Sequence, residues 1–69
     1  MKVEISLANG SVAEIADFGK FIIGNTTFKA EDFKSRTIPI DKEEICTFVG
    51  QKELLTTHAN NLVCIKLTF

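Results

Sequence analysis

Apolar and polar residues alternate along the first seven positions of the chain. In the segment 2–7, Val3, Ile5 and Leu7 point one way and the polar residues between them point the other way. A period of two with one polar face predicts a half-buried β-strand. Asn9-Gly10 follows, and this dipeptide favours the type I′ turn of a β-hairpin because both residues tolerate a positive φ.

The segment 11–18 allows two interpretations. Ser11 and Glu14 have the spacing of a helical capping box, and Gly19 is a suitable residue to follow a helix C-terminus. The alternative is that the hairpin continues as a strand through Asp17. We favour the strand, because a helix of about two turns is too short to be stable by itself and because the Asn-Gly turn signal is strong.

Two further short strands are predicted before residue 30. The run 20–23 is a predicted strand in which residues 21–23 are apolar on both faces, which is typical of a central strand. Gly24-Asn25 suits a two-residue hairpin turn, and the β-branched residues of the run 26–29 favour a returning strand. We therefore expect a second hairpin.

The middle of the chain is less regular. Residues 30–35 carry mixed charge around Phe33, which predicts a single helical turn or a loop with Phe33 pointing inward. Residues 37–40 have an extended pattern that contains Pro39. Because proline lacks a backbone N–H, this segment is expected at a sheet edge or in a connector.

A short helix is predicted near residues 41–50. Asp41 can cap its N-terminus, and acidic residues such as Glu44 are favourable in the first turn because of the helix dipole. Three apolar residues then have helical spacing: Ile45, Phe48 and Val49. Gly50 is a natural end for this helix. A strand over residues 44–49 remains the alternative, so the state of the segment 42–49 is open.

The end of the chain predicts two more strands. Residues 53–57 are compatible with a strand, and the polar run 58–61 is typical of a turn. Residues 62–69 form the last predicted strand. One of its faces is apolar: Val63, Ile65, Leu67 and Phe69. The other face begins with Leu62 and Cys64 and ends with polar residues.

Together these elements predict a mainly β (α+β) fold in a single small domain over residues 1–69. We expect a small antiparallel sheet, or a sheet curled like a barrel, with about five to six short strands and one helix near 41–50. The opening V-E-I-S-L-A-N-G-S-V-A-E-I resembles the first two strands of small SH3-like or Sm-like barrels. This resemblance extends over about the first forty residues and depends on strand alternation and one Asn-Gly turn.

Composition excludes several classes of protein. The 45% hydrophobic content of the 69 residues is that of a folded domain and not of a disordered tail. Every apolar run of the sequence is far shorter than the roughly 20 residues of a spanning helix. The first residues, from Met1 onward, lack the apolar core of a secretory signal, so a cytoplasmic location is expected. A net charge of -1 argues against binding that depends on phosphate contacts.

No group of residues predicts catalysis or metal binding. The two cysteines, Cys46 and Cys64, are expected to be reduced and buried in the core, and His58 is expected to be solvated in a turn. The acidic residues near Asp41 are explained by a helix N-terminus. We therefore expect no enzyme activity, no cofactor and no metal.

The sequence favours a small protein-binding module, which acts by occupying the surface of a partner protein as an adaptor or inhibitor. Such modules are typical of phages and other mobile elements. The apolar last strand offers an edge for pairing, and the chain contains more phenylalanines than a thin core needs. The candidate partner-binding residues are Phe28, Lys29, Phe33, Lys34, Arg36 and Phe69. The alternatives are an SH3-like or Sm-like barrel that binds nucleic acid and a structural subunit that forms a homo-oligomer through an edge strand.

Overall fold

The computed structural model describes residues 1–35 and 37–69, and seven β-strands lie within these ranges. The strands are β1 (Lys2–Leu7), β2 (Val12–Ile15), β3 (Phe18–Ile23), β4 (Thr26–Lys29), β5 (Ile45–Gly50), β6 (Leu54–His58) and β7 (Leu62–Thr68). A single helical turn, α1 (Asp32–Ser35), follows β4, and a 3₁₀ turn over Ala59–Asn61 joins β6 to β7. The predicted mainly β fold is confirmed.

The strands form two antiparallel sheets. Sheet A has the order β2-β1-β7, and sheet B has the order β4-β3-β5-β6. The hairpin of β1 and β2 turns at Asn9-Gly10, as predicted, but the type I′ conformation is wrong, because Gly10 has a positive φ and Asn9 does not. Gly10 has a φ of 89°, which favours glycine, and Asn9 Oδ1 accepts a hydrogen bond of 2.9 Å from the backbone N–H of Ser11. The segment 11–18 therefore contains a strand and not the alternative helix.

The inner faces of the two sheets enclose one apolar core. Its buried members are Val3, Ile5, Ile15, Phe18, Phe21, Ile23, Phe28, Ala30, Cys46, Phe48, Ala59 and Leu62. The rings of Phe21 and Phe48 lie at its centre, 4.8 Å apart between centroids. No polar or charged residue of the described ranges is buried, so apolar burial is the main source of stability.

The two sheets approach each other closely at one corner. A Cβ atom added to Gly50 would lie 2.5 Å from Ile15 Cγ2 and 3.2 Å from the backbone oxygen of Asp17. At the same corner, the backbone N–H of Phe18 donates to Met1 O over 3.0 Å. Glycine at position 50 is therefore required because β5 and the end of β2 leave no room for a side chain.

The predicted helix over residues 41–50 is wrong, since the second half of this segment is β5. Asp41 does cap a backbone N–H, but its Oδ1 accepts from Glu43 over 3.0 Å in a tight turn and not at a helix start. Cys46 and Phe48 then alternate into the core, while β5 pairs on both sides with β3 and β6. The β-branched and aromatic residues that fit helical spacing also fit a strand, and pairing on both sides decides between the two.

The strand count within the described ranges is seven and not the expected five to six, because β5 replaces the predicted helix. The only α-helical turn of these ranges is α1, where the sequence predicted a helical turn or a loop. The apolar run 20–23 lies in β3, which β4 and β5 flank, so its predicted central position is confirmed.

Candidate functional site

Two of the candidate partner-binding residues belong to the core. Phe28 is buried and stacks on Phe21 with ring centroids 6.5 Å apart. Phe33 is half-buried and makes edge-to-face contacts with Phe18 and Phe21, both at 5.8 Å. Burial leaves Phe28 little surface for an anchor, and Phe33 packs against the core with its ring inward, as predicted; a role of either ring in partner binding stays a prediction.

The other candidates lie on the surface in two separate places. Lys34 Nζ lies 4.5 Å from the centroid of the Phe69 ring, which is a cation–π contact. Phe69 is 60% exposed, so this contact is accessible to a partner. Lys29 is also exposed, but it stands at the end of β4 in sheet B. The candidate Arg36 lies outside the described residues.

β7 is an edge strand. It pairs with β1 along one side, and no strand within the described ranges pairs with its other side. The sequence predicted such an edge at the end of the chain. An unpaired edge presents backbone N–H and C=O groups that can accept another strand.

A bulge in β7 changes which side chains face outward. Leu7 pairs with Leu62 and Ser6 pairs with Cys64, so Val63 is an extra residue in the ladder. Val63 is consequently 69% exposed, and Leu62 points into the core. The prediction that Val63 shares a face with Ile65 and Leu67 is wrong for this reason. Cys64, which was expected in the core, is exposed, because it pairs with Ser6 and alternates with the inward-facing Ile65.

A groove of about 320 Å³ runs beside the bulge, and we call it the β7 groove. Ile38, Ile40 and Lys42 form one wall, and residues 62–65 form the other. Both isoleucines also pack against the core. Lys42 Nζ donates to Leu62 O over 3.4 Å, so it joins the two walls at one end. The lining is aliphatic with one cation, and no carboxylate lines it.

The sequence contained one signal for this groove. Residues 38–40 read I-P-I, in which two isoleucines flank a proline that cannot join a sheet through its nitrogen. Such a segment lies beside a sheet and covers part of it without pairing. The bulge had no comparable signal, because it depends on the register between β1 and β7.

The surroundings of the Cys46 thiol do not favour a nucleophilic role. Cys46 is buried, its thiol donates to Thr57 O over 3.4 Å, and burial raises the pKa of this thiol above its ordinary value of 9.0. A raised pKa lowers the thiolate fraction and makes Cys46 a poor nucleophile. Within residues 1–35 and 37–69, no three His, Cys, Asp or Glu side chains are grouped as ligands of a metal ion.

Comparison with protein families, with characterised proteins and with solved structures gives no match to this chain. In the described part of the chain, no helix combines the length and the apolar character that crossing a membrane requires.

Proposed function

We propose that this protein is a non-enzymatic protein-binding module, an adaptor or an inhibitor, that binds an extended segment of a partner protein along β7. The unpaired edge of β7, which borders the β7 groove, is the observation that carries this proposal. A segment that adds to a sheet edge is held by main-chain hydrogen bonds, and its alternate side chains enter the adjacent groove.

The apolar side chains around the edge favour this mode of binding. Val63, near the start of β7, is 69% exposed, and Phe69, which directly follows β7, is 60% exposed. Large exposed apolar side chains at a groove are typical anchors of protein interfaces. Between them, the half-buried Ile65 offers an aliphatic floor to the groove.

The charges around the groove indicate the chemistry of the partner segment. Lys42 lines the groove, and Lys34 stands over Phe69. Since the described lining contains Lys42 and no carboxylate, a partner carboxylate placed in the groove meets a cation and no like charge. We therefore expect the partner segment to alternate aliphatic side chains with acidic ones.

Binding of nucleic acid receives less support from the geometry. Stacking with bases requires exposed aromatic rings, but five of the six phenylalanines are buried or half-buried and the sequence has neither Trp nor Tyr. Association of two copies through their β7 edges uses the same site as the proposal, so the experiment below includes it as an outcome.

Selection from a library of displayed peptides tests the proposal. We expect the immobilised protein to select extended peptides with alternating aliphatic and acidic residues. Val63→Asp should weaken binding of a selected peptide at least about tenfold, because a carboxylate then borders the groove and repels the acidic peptide. Val12→Asp is the matched control, since Val12 is 62% exposed on β2, the opposite edge of sheet A.

Three results would contradict the proposal. One is that no peptide family is enriched over a blank support. Another is that Val63→Asp and Val12→Asp change binding equally. The third is that the chain associates with itself through β7, so that Val63→Asp abolishes self-association and peptides do not compete with it.

A further inference from the structure

The outer face of sheet B has no partner within the described residues, and it combines apolar side chains with a central row of threonines: Thr27, Thr47 and Thr56. Ile22, Ile45, Val49 and Leu54 point outward on β3, β5 and β6, on the side opposite to the buried Phe21 and Phe48. Of these four, Ile45 and Leu54 are more than half exposed. The outer face of sheet A is different, because there Lys2 forms ion pairs with Glu4 at 3.7 Å and Glu14 at 3.5 Å.

The two ends of the sheet B face carry opposite charges. Lys20 and Lys29 are directly opposite each other in the β3–β4 register at one end. Glu43 and Glu44 border the other end, where they line a shallow depression together with Ile22 and Ile45. None of these four charges forms an ion pair with the described part of the chain. Like charges opposite each other in a ladder are destabilising, so both ends favour a partner of opposite charge.

A two-fold axis makes this face complementary to itself. We call the outward residues that lie side by side across the strands a row. The register places Val49 and Leu54 in the row of Lys20. Ile45 lies four residues before Val49 on β5, and therefore two rows away on the same face. Consider a two-fold axis that lies between the two copies, parallel to the face and perpendicular to the strands, at the level of Ile22. This axis places the row of Lys20 in one copy opposite the row of Ile45 in the other. Val49 of one copy then meets Ile45 of the second, and the lysine end of each copy meets the glutamate end of the other. Isologous contacts of this kind are the usual basis of homodimers.

We infer that the outer face of sheet B binds a second copy of this chain, with the two sheets packed face to face and their strands antiparallel. Aligned packing of two twisted sheets is a common arrangement. The occupant is a second copy because the charged ends of the face are matched by its own two-fold image, which also places Val49 opposite Ile45. This interface contains none of the residues that line the β7 groove, so it is independent of the proposed function and leaves both grooves of a dimer open.

The size of the face sets the strength of the association. Four strands about 4.8 Å apart, with end rows about 14 Å apart, give a face of roughly 300 Å². Stable dimers bury about 800 Å² on each partner. We therefore expect a weak dimer that dissociates on dilution and whose affinity falls with added salt, because the charged ends are exposed.

Sedimentation equilibrium of two charge-swapped variants tests the inference. Lys20→Glu/Lys29→Glu makes both ends of the face negative, and Glu43→Lys/Glu44→Lys makes both ends positive. At about 1 mM we expect the wild type to associate and each variant alone to associate at least about tenfold more weakly. An equimolar mixture of the two variants should form a heterodimer, of twice the 7.7 kDa chain mass, because both of its end contacts are then attractive.

Lys34→Glu/Lys66→Glu is the matched control, since it changes the net charge as the first variant does but leaves the sheet B face unaltered. It should associate like the wild type. Circular dichroism checks that each variant is folded. If a double variant is unfolded, the single substitution Lys20→Glu or Glu44→Lys takes its place. A monomeric wild type at about 1 mM would overturn the inference. So would a wild-type dimer that the charge swaps do not weaken, or variants that do not associate when mixed.

Discussion

Phe48 lies in a cluster of phenylalanine rings at the centre of the core. Its side chain is fully buried, and its ring lies 4.8 Å from that of Phe21 and 6.0 Å from that of Phe18. Tilted and edge-to-face ring pairs add about 0.5–1.5 kcal/mol to the effect of area burial. Because a domain of about 60 residues has a small stability margin, a few such residues determine whether the chain folds.

We expect Phe48→Ala to lower the free energy of unfolding by about 3–5 kcal/mol, through lost burial and the cavity that remains. Urea unfolding followed by circular dichroism measures this change. Phe69→Ala is the matched control, because Phe69 is 60% exposed and its loss should cost less than about 1 kcal/mol. Equal effects of the two substitutions would contradict the assignment of the core.

The two thiols should differ in reactivity and in their effect on pH dependence. Cys64 is exposed and should react with an alkylating reagent in the native state, whereas Cys46 should react only after unfolding. Burial raises the pKa of Cys46 above 9.0, so the unfolded chain loses this proton first as the pH rises. The stability that the protonated thiol contributes is complete below pH 9.0 and is lost progressively above it.

Urea unfolding between about pH 8 and 10 measures that loss, and Cys46→Ala should reduce the slope. Mass spectrometry after brief alkylation shows which thiol has reacted. If Cys46 is alkylated as fast as Cys64, or if the slope is unchanged in Cys46→Ala, the buried position of Cys46 is wrong.

At the scale of elements, β5 shows where sequence reasoning succeeds and where it does not. Alternation and the Asn-Gly turn identified the first hairpin correctly, because both signals are local. The segment 41–50 carries a capping aspartate, and its apolar residues fit both the spacing of a helix and the alternation of a strand. Its state depends on the two strands that pair with it, Phe18–Ile23 and Leu54–His58. Those partners are distant in sequence, so local patterns do not show that they pair.

The candidate site also has features that local sequence patterns predict and features that they do not. The edge position of β7 followed from its apolar pattern and its place at the end of the predicted sheet. The bulge at Val63 and the wall formed by Ile38 and Ile40 depend on register and tertiary packing, which no local pattern specifies. The number of phenylalanines does not show which rings are buried, so the burial of Phe28 could not be predicted.

The contact between β2 and β5 gives a prediction at this scale. Gly50→Ala places a Cβ 2.5 Å from Ile15 Cγ2 and 3.2 Å from Asp17 O, so a strand must shift. We expect a loss of about 1–3 kcal/mol in the free energy of unfolding, as in other overpacked sites. Gly19→Ala is the matched control, because its nearest atom is Val49 O at 3.8 Å. A smaller loss for Gly50→Ala than for Gly19→Ala would contradict the close approach of the two sheets.

At the scale of the whole molecule, the chain carries two distinct surfaces on one small core. The β7 groove lies at a sheet edge and has a mainly aliphatic lining, and the sheet B face is the outer surface of four strands with charges at its two ends. Neither surface includes a buried polar group, since the described ranges contain none. Both surfaces therefore suit association, and neither requires an internal cavity.

The balance of charge over the whole molecule predicts weak interaction with nucleic acid. With a net charge of -1 and its rings mostly inside the core, the protein should not bind labelled single- or double-stranded oligonucleotides at about 50 mM salt. Fluorescence anisotropy measures this directly. Tight binding that weakens steeply with added salt would favour the nucleic-acid barrel over the protein-binding module.

Amide hydrogen exchange with and without a selected peptide tests the central claim most directly, since it reports on the whole chain at once. Binding along β7 predicts new protection in residues 62–68 and no new protection in β2, the other edge strand of sheet A. Protection that is confined to β2 or to sheet B, with β7 unchanged, would contradict the account.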